Sequence, residues 1–315
     1  MDAAVGGSGA GRSRGLEAAL RSGRFVVTAE ITPPDSADPA AVLERVGALG
    51  DSVDAINVTD GAGARAHMSA LACAAILARE GVDPVLQVTA RDRNRIALQG
   101  DLIGAAALGI RNILCLRGDD PETGDQPEAK PVFDVDSRGL IAMARTLGEG
   151  KFPSGRPIDP PPRLFIGAAD APCADDGDWK PDGLIAKIAA GAGFIQTQYC
   201  FDLAVLRRYI ARLRDHGITG RAFVLVGVGP IVSAHSARWM NANLFGVQVP
   251  DGLIARVEAA ADQGAEGWRI CAEMLEELHQ IEGVAGVHIM APRQQHNVPR
   301  MLEDSGILAK RKASA

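Results

Sequence analysis

The chain has 315 residues, of which 47% are hydrophobic and only 4% are aromatic. This supplies enough apolar material for a large core, and that core must be built from Ala, Val, Ile and Leu. The formal net charge of −6 gives no electrostatic case for a nucleic acid or an anionic membrane as a partner.

The two ends of the chain differ in composition from the rest. The stretch 1–20 begins with many glycines and lacks the apolar region of a secretory signal, so it is predicted to be a disordered tail. A polar tail is predicted over 309–315, with one catalytic domain over 21–308. No window approaches about 18 uninterrupted apolar residues, so no membrane span is expected.

The cysteines are scattered and form no C-x-x-C pair, which indicates reduced thiols in a cytoplasmic protein. They are Cys73, Cys115, Cys173, Cys200 and Cys271.

A pattern repeats from residue 25 onward: a short β-branched run, an Ala- and Leu-rich helical segment, a glycine, and then the next run. Each run predicts a strand. The eight runs begin at Phe25, Ala55, Pro84, Asn112, Arg163, Phe194, Ala222 and Gly286.

The segments between these runs carry helix start and stop signals. Asp38, Asp202 and Ser233 are placed to cap the N-termini of three helices. Glycines stand between a helix and the next strand, as C-terminal caps do. They are Gly81, Gly109, Gly191, Gly217 and Gly283.

Strands that alternate with helices favour a parallel sheet, and eight runs that are apolar on both faces favour a sheet that closes on itself. The sequence therefore predicts an α/β protein with a single-domain (β/α)8 TIM barrel. The alternative is a doubly wound open sheet, but no G-x-G-x-x-G motif follows the first strand.

The C-terminal ends of barrel strands form the active-site mouth, so polar residues there carry the functional signal. Glu30 lies in an apolar strand, where a carboxylate is seldom buried without a partner or a task; a salt bridge to a helix is the alternative. Gln196 and Gln198 share one strand face, and an amide fills a barrel interior poorly. Other polar residues at strand ends are Thr32, Asn57, Thr59, Asp60, Gln87, Thr89, Arg117, Asp119, Asp170 and His288.

Several of these residues have a purely structural interpretation. Asp119 could cap the turn in RGDDP, and Thr59 and Thr89 are ordinary strand residues by propensity. Absent motifs narrow the chemistry further. No strand end carries a lysine for a Schiff base, and no His, Asp or Glu cluster has metal-ligand spacing. A mouth with an acid, a second carboxylate and amides suits a planar polar ring such as a pterin or a flavin.

Six segments in order resemble the methylenetetrahydrofolate reductases: TAEITPP, INVTDG, QVTARDRN, CLRGDDP, FIQTQYCFD and GVHIMAP. The resemblance runs from about Phe25 to Leu308 and implies a barrel that carries FAD. It implies reduction of methylenetetrahydrofolate to methyltetrahydrofolate by NADH or NADPH, or the reverse oxidation in a demethylation pathway. The alternatives are a flavin-independent reductase and a non-catalytic folate-binding partner subunit. Formation of a homo-oligomer stays open.

The resemblance also implies roles for individual residues. Glu30 matches the general acid that protonates the bridging nitrogen of the folate, and Asp119 is the second catalytic residue. The residues expected at the flavin are Thr59, Gln87, Thr89, Arg117, Gly118, Asp119, Asp170 and Lys187. The residues expected at the folate are Thr59, Gln198, His235, Arg293 and Gln294.

The sequence departs from the family pattern mainly where the flavin is expected. Gln87 and His235 stand where many members have a His and a Phe, and the stretch AADAPCADD lacks the usual Tyr and His. Lys187 has the alternative of a solvated helix lysine. The cations considered for the anionic glutamate tail of folate are Arg65, Arg91, Arg93 and Arg293.

Overall fold

A computed structural model describes residues 15–172 and 179–313. Its parallel strands β1 to β8 form a closed barrel in chain order, so the predicted TIM barrel is confirmed. All eight predicted runs contain a strand, and the last strand begins two residues before Gly286. The strands are β1 (Val26–Ile31), β2 (Ala55–Val58), β3 (Pro84–Thr89), β4 (Asn112–Leu116), β5 (Phe165–Asp170), β6 (Phe194–Tyr199), β7 (Phe223–Val228) and β8 (Val284–Ile289).

Helices surround the barrel and follow the strands in sequence. In the described residues they are α1 (Leu16–Arg21), α2 (Ala40–Gly47), α3 (Ala70–Arg79), α4 (Arg95–Ala107), α5 (Ser137–Gly148), α6 (Asp182–Ala190), α7 (Leu203–Asp215), α8 (Ala234–Asn243), α9 (Asp251–Ala259), α10 (Gln263–Leu278), α11 (Val298–Asp304) and α12 (Ile307–Ala313). No helix within this part of the chain combines the length and the apolar character needed to cross a membrane.

The predicted N-caps of α7 and α8 are confirmed. The Asp202 carboxylate accepts hydrogen bonds from two backbone N–H groups in the first turn of α7. At α8, Ser233 and Ser236 form a reciprocal capping box. These contacts satisfy N–H groups that have no partner inside the helix, and so they fix where each helix begins.

The lower half of the barrel interior is apolar. Phe165 and Phe194 lie with their ring centroids 4.9 Å apart. Gly167 makes room for them, because a Cβ atom there would lie 2.2 Å from the Phe194 ring. Leu16 and Leu20 of α1 join the same cluster, so α1 closes the N-terminal end of the barrel.

Part of each predicted tail is folded into a helix. Residues 15–20, assigned to a disordered tail, include most of α1, and Leu16 is fully buried because it plugs the barrel. At the other end, α12 extends into the predicted polar tail, where the buried Arg311 pairs with Asp54 at 2.6 Å and donates to the Ser52 carbonyl oxygen. Residues 1–14 and 314–315 lie outside the described residues.

Four cysteines are buried free thiols: Cys73, Cys115, Cys200 and Cys271. Burial raises the thiol pKa at each of them, to about 12 at Cys73. A buried thiol that stays protonated is a poor nucleophile, so these residues act as core side chains. Cys173 lies outside the described residues.

Candidate active site

Polar side chains replace the apolar ones in the upper half of the barrel interior. Strand residues alternate between the two faces of the sheet, so the positions that continue the inward-facing apolar set reach the mouth. These inward-facing residues are Thr28, Glu30, Asn57, Thr59, Gln87, Thr89, Gln196 and His288. The site predicted at the C-terminal ends of the strands therefore has a physical basis in the strand register.

Glu30 lies on this inward face, and its side chain is 20% exposed. Its Oε2 atom accepts a hydrogen bond from Gln87 Nε2 at 3.0 Å and lies 3.5 Å from His288 Nε2. Oε1 has no partner among the described residues. The alternative in which Glu30 pairs with a surrounding helix does not apply, because its contacts come from β3 and β8.

A buried hydrogen-bond network lies directly below Glu30. Asn57 and Gln196 exchange amide hydrogen bonds of 2.7 and 3.1 Å across the barrel. The Gln196 amide also donates to the Thr28 hydroxyl at 3.1 Å, and Thr28 Oγ1 lies 3.0 Å from His288 Nδ1. The network thus joins strands β1, β2, β6 and β8 and holds His288 in one orientation.

Gln198 lies near the C-terminal end of β6, where the pairing of β6 with β7 shifts register between Gln196 and Tyr199. Its side-chain oxygen accepts from the Tyr199 backbone N–H at 3.0 Å. The amide NH2 group of Gln198 has no hydrogen-bond partner among the described residues.

Tyr199 was not singled out from the sequence, since a tyrosine is an ordinary strand residue. Its hydroxyl donates to the Met290 carbonyl oxygen at 2.8 Å and so links β6 to the end of β8. Burial, followed by the nearby charge of Glu30, raises the pKa of Tyr199. The Tyr199 hydroxyl group therefore stays protonated and uncharged beside the site.

The Arg-Gly-Asp turn after β4 packs against the loop after β2. Asp119 is exposed, and its Oδ2 atom accepts from the Gly63 backbone N–H at 2.9 Å. Gly118 has a φ of +90°, and a Cβ atom there would lie 3.0 Å from Arg91. The alternative that Asp119 caps its own turn is wrong, because Asp120 supplies that cap.

Arg117 packs against Phe133. Its guanidinium lies 4.2 Å from the centroid of the Phe133 ring and donates to the Gly118 carbonyl oxygen.

Two of the arginines considered for the folate tail hold loops together. Arg91 is only 4% exposed and donates to the carbonyl oxygens of Gly61 and Asp119 while pairing with Asp92. Arg93 pairs with Asp60 and Asp101.

The other two, Arg65 and Arg293, are exposed and have no ion pair within the described ranges. Arg65 borders a cavity of about 250 Å³ between the loops after β2, β3 and β4.

Thr59 and Thr89 differ in their surroundings. The Thr89 hydroxyl and backbone N–H both donate to Asp60, at 3.0 and 2.8 Å. The Thr59 hydroxyl is buried and has no hydrogen-bond partner among the residues that the structure describes. A buried hydroxyl without a partner is costly, so Thr59 is the better candidate for a ligand contact.

The residues expected to hold FAD do not gather on one surface. Asp170 faces outward with Ile166 and Ala168, and its carboxylate accepts from the Tyr209 hydroxyl at 2.6 Å; burial raises its pKa. The Lys187 ammonium donates to the Ala169 carbonyl oxygen at 2.6 Å. Asp170 therefore lies between the barrel and its helices, whereas Thr59, Gln87 and Thr89 face the interior.

As a set, these residues do not fit FAD. The expectation placed Asp170 at the mouth because it ends a strand, but the alternation of side chains directs it to the helix layer. Residues 173–178 of the following loop lie outside the described residues.

The remaining substrate candidates have no hydrogen bond or ion pair with Glu30 among the described residues. His235 is exposed on α8, and Arg293 is exposed in the loop after β8. Gln294 accepts from the Trp268 indole N–H at 3.1 Å. Its neighbour Gln295, which was not predicted, donates to the Glu30 carbonyl oxygen at 3.4 Å.

Among the residues that the structure describes, no group of three or more His, Cys, Asp or Glu side chains could hold a metal ion.

The fold is similar to that of a solved uncharacterized protein from Clostridium thermocellum that binds two copies of 5-methyl-5,6,7,8-tetrahydrofolic acid. The TM-score is 0.59 with 12% sequence identity, over 95% of this chain and 99% of that one. At this identity the likeness concerns the fold alone.

Sequence relatives share a name. Methylenetetrahydrofolate reductase 2 of Schizosaccharomyces pombe is 26% identical over 265 residues, which are 79% of this chain and 40% of that protein. A probable methylenetetrahydrofolate reductase (NADPH) of Caenorhabditis elegans is 25% identical over 72% of this chain and 33% of its own length. The chain thus spans less than half the length of these relatives.

The family model described as methylenetetrahydrofolate reductase matches residues 15–306. Because that match covers the whole barrel, the chain belongs to the methylenetetrahydrofolate reductase family.

Proposed function

We propose that this protein reduces 5,10-methylenetetrahydrofolate to 5-methyltetrahydrofolate, with NADH or NADPH as the hydride donor. The observation that carries the proposal is Glu30, a half-buried carboxylate inside the mouth with Oε2 held by the protein and Oε1 free. Membership of the family supports the reaction class.

The chemistry needs one proton and one hydride. Protonated Glu30 gives its proton to N10 of the folate, the bond from the bridging carbon to N10 breaks, and N5 is left as a methylene iminium. The nicotinamide ring then delivers hydride to that carbon, which forms the methyl group and oxidised nucleotide. Glu30 ends as a carboxylate and regains its proton from solvent. The reverse sequence would oxidise methyltetrahydrofolate.

Two polar side chains near Glu30 suit binding of the pterin ring. The free NH2 group of Gln198 and the unpartnered hydroxyl of Thr59 are groups of the mouth that can form hydrogen bonds with a polar heterocycle. Asp119 is at the rim, where it holds the loop after β2. We therefore assign Glu30 to proton transfer, and Gln198 and Thr59 to binding.

FAD remains an expectation from the family resemblance. The Asp170 and Lys187 side chains already form hydrogen bonds with Tyr209 and with the Ala169 carbonyl oxygen. We therefore favour direct transfer of hydride from the nicotinamide to the folate, without a flavin. If FAD were bound, it would carry the hydride between the two substrates. A cytoplasmic location and assembly of identical copies are further expectations.

Replacing Glu30 tests the proposal. The variant E30Q keeps the side-chain shape but cannot supply the proton, so we expect kcat for folate reduction to fall by at least about 100-fold. The assay follows oxidation of NADH or NADPH together with chromatographic detection of methyltetrahydrofolate. E44Q, at an exposed position of α2, is the matched control and should retain activity. Persistent turnover by E30Q would rule out Glu30 as the acid.

A further inference from the structure

His288 is a buried histidine whose two ring nitrogens face different partners. Nδ1 lies 3.0 Å from Thr28 Oγ1, and Nε2 lies 3.5 Å from Glu30 Oε2. In a neutral imidazole one nitrogen donates and the other accepts, and the partner of one nitrogen decides the state of the other. The hydrogen bond between Thr28 and Nδ1 therefore determines whether Nε2 presents a hydrogen or a lone pair to Glu30.

The Thr28 hydroxyl accepts a hydrogen bond from Gln196 Nε2 at 3.1 Å, and its own hydrogen has two possible acceptors. These are His288 Nδ1 at 3.0 Å and the Val287 carbonyl oxygen at 3.3 Å. Donation to the nearer Nδ1 leaves the ring hydrogen on Nε2. The two N–H bonds of Gln196 are then directed to Thr28 and Asn57, and the longer contact of Gln196 Nε2 with His288 Nδ1, at 3.4 Å, also suits an Nδ1 without hydrogen.

The opposite tautomer is disfavoured when Glu30 is ionised. Nε2 would then carry a lone pair directed at a carboxylate oxygen, and the two would repel each other. With hydrogen on Nε2, the His288 ring can donate to Oε2 from its distance of 3.5 Å, beside the hydrogen bond that Gln87 already donates to the same oxygen. Two donors on one oxygen leave Oε1 as the atom that carries and releases the proton.

We propose that His288 is a positioning residue for Glu30: fixed by Thr28 as the Nε2–H tautomer, it donates to Oε2 and stabilises the carboxylate that forms when Oε1 gives up its proton. This rests on the proposed folate reduction. A donor to a group that becomes charged during the reaction strengthens in the transition state and therefore raises kcat. The titratable groups facing Glu30 are His288 of β8 and Tyr199 of β6.

A matched pair of substitutions distinguishes the contact of His288 with Glu30 from its contact with Thr28. In H288Q the amide nitrogen occupies the place of Nε2 and can still donate to Glu30. In H288N the shorter amide can reach Thr28 but not Glu30. We expect H288N to lower kcat by about 10- to 100-fold, as for a lost hydrogen bond to a charged group, with KM nearly unchanged, and H288Q to retain most of kcat.

The pH profile distinguishes positioning from packing. Without its donor the Glu30 carboxylate is less stabilised, so the basic limb of the rate profile of H288N should move to higher pH, whereas that of H288Q should not. A folding defect would lower the active fraction without moving the limb. Equal kcat and equal limbs in H288N and wild type would overturn the proposal.

The tautomer can be measured without any turnover. The chain has 6 histidines, and all of them are labelled with ¹⁵N. The resonances of His288 are identified because they are absent from the spectrum of H288Q. At a pH where wild type is neutral at His288, we expect a protonated Nε2 and an unprotonated Nδ1. An Nδ1–H tautomer would overturn the proposal, even if the protein reduces folate. An Nε2–H tautomer in a protein that makes no methyltetrahydrofolate would refute the proposed function instead.

Discussion

Among the buried threonines of the upper barrel, Thr28 and Thr59 differ in the hydrogen bonding of their hydroxyl groups. Thr28 takes part in the network with Gln196 and His288, while the Thr59 hydroxyl has no protein partner. A buried polar group without a partner contributes nothing to the free energy of unfolding and can lower it. Thr59 is therefore tolerated for a reason other than stability, such as a ligand.

Valine substitutions at both positions test this difference. We expect T28V to lower the free energy of unfolding by about 1–3 kcal/mol, because it leaves network partners unsatisfied. T59V should leave it unchanged or raise it slightly, while increasing KM for the folate. Urea titrations of both variants against wild type give the comparison. Equal destabilisation by the two changes would show that the Thr59 hydroxyl has a structural partner.

The sequence predicted which strands carry polar residues in the upper barrel better than it predicted the contacts of those residues. Glu30, Gln196 and Gln198 stood out because polar groups are rare in apolar strands. The contact between His288 and Glu30 could not be predicted, because it joins β8 to β1 across the barrel closure and depends on register. Asp170 was misplaced for the same reason: a polar residue at a strand end can face either side.

At the scale of elements, α1 closes the bottom of the barrel with Leu16 and Leu20. This helix was assigned to a tail because its six residues follow a glycine-rich stretch and carry too few apolar positions for a periodic signal. Its Leu16 backbone N–H donates to Asp83 at 2.7 Å, which fixes the helix to the start of β3. The strands, by contrast, were predictable because each buried run is continuous.

Because α1 closes the bottom of the barrel, a substitution at Leu16 should change the free energy of unfolding by a predictable amount. L16A should lower the free energy of unfolding by about 2–5 kcal/mol, since it opens a cavity at a fully buried position. L108A, at a leucine that is 52% exposed after α4, is the control and should change it by less than about 0.5 kcal/mol. Denaturant unfolding of both variants measures the difference. A change at Leu16 as small as the control would mean that α1 is not part of the folded core.

At the scale of the whole molecule, the barrel brings residues far apart in sequence to one mouth. Glu30 comes from β1, its amide neighbour Gln87 from β3, Gln198 from β6 and His288 from β8. The closed barrel also separates a polar interior from an outer layer of helices. The residues expected at FAD are split between the two, because Asp170 faces the helices whereas Thr59, Gln87 and Thr89 face the interior. We therefore propose that hydride passes at this mouth from a nicotinamide directly to a folate.

Isotope transfer tests that claim most directly. NADH or NADPH carrying deuterium at both C4 positions is incubated with methylenetetrahydrofolate and the purified protein, and the methyl group of the product is analysed by mass spectrometry. Direct transfer predicts one deuterium in the methyl group of each product molecule. A product without deuterium would contradict direct transfer, because a reduced flavin exchanges its hydrogen with water, and a failure to form methyltetrahydrofolate would contradict the proposed function itself.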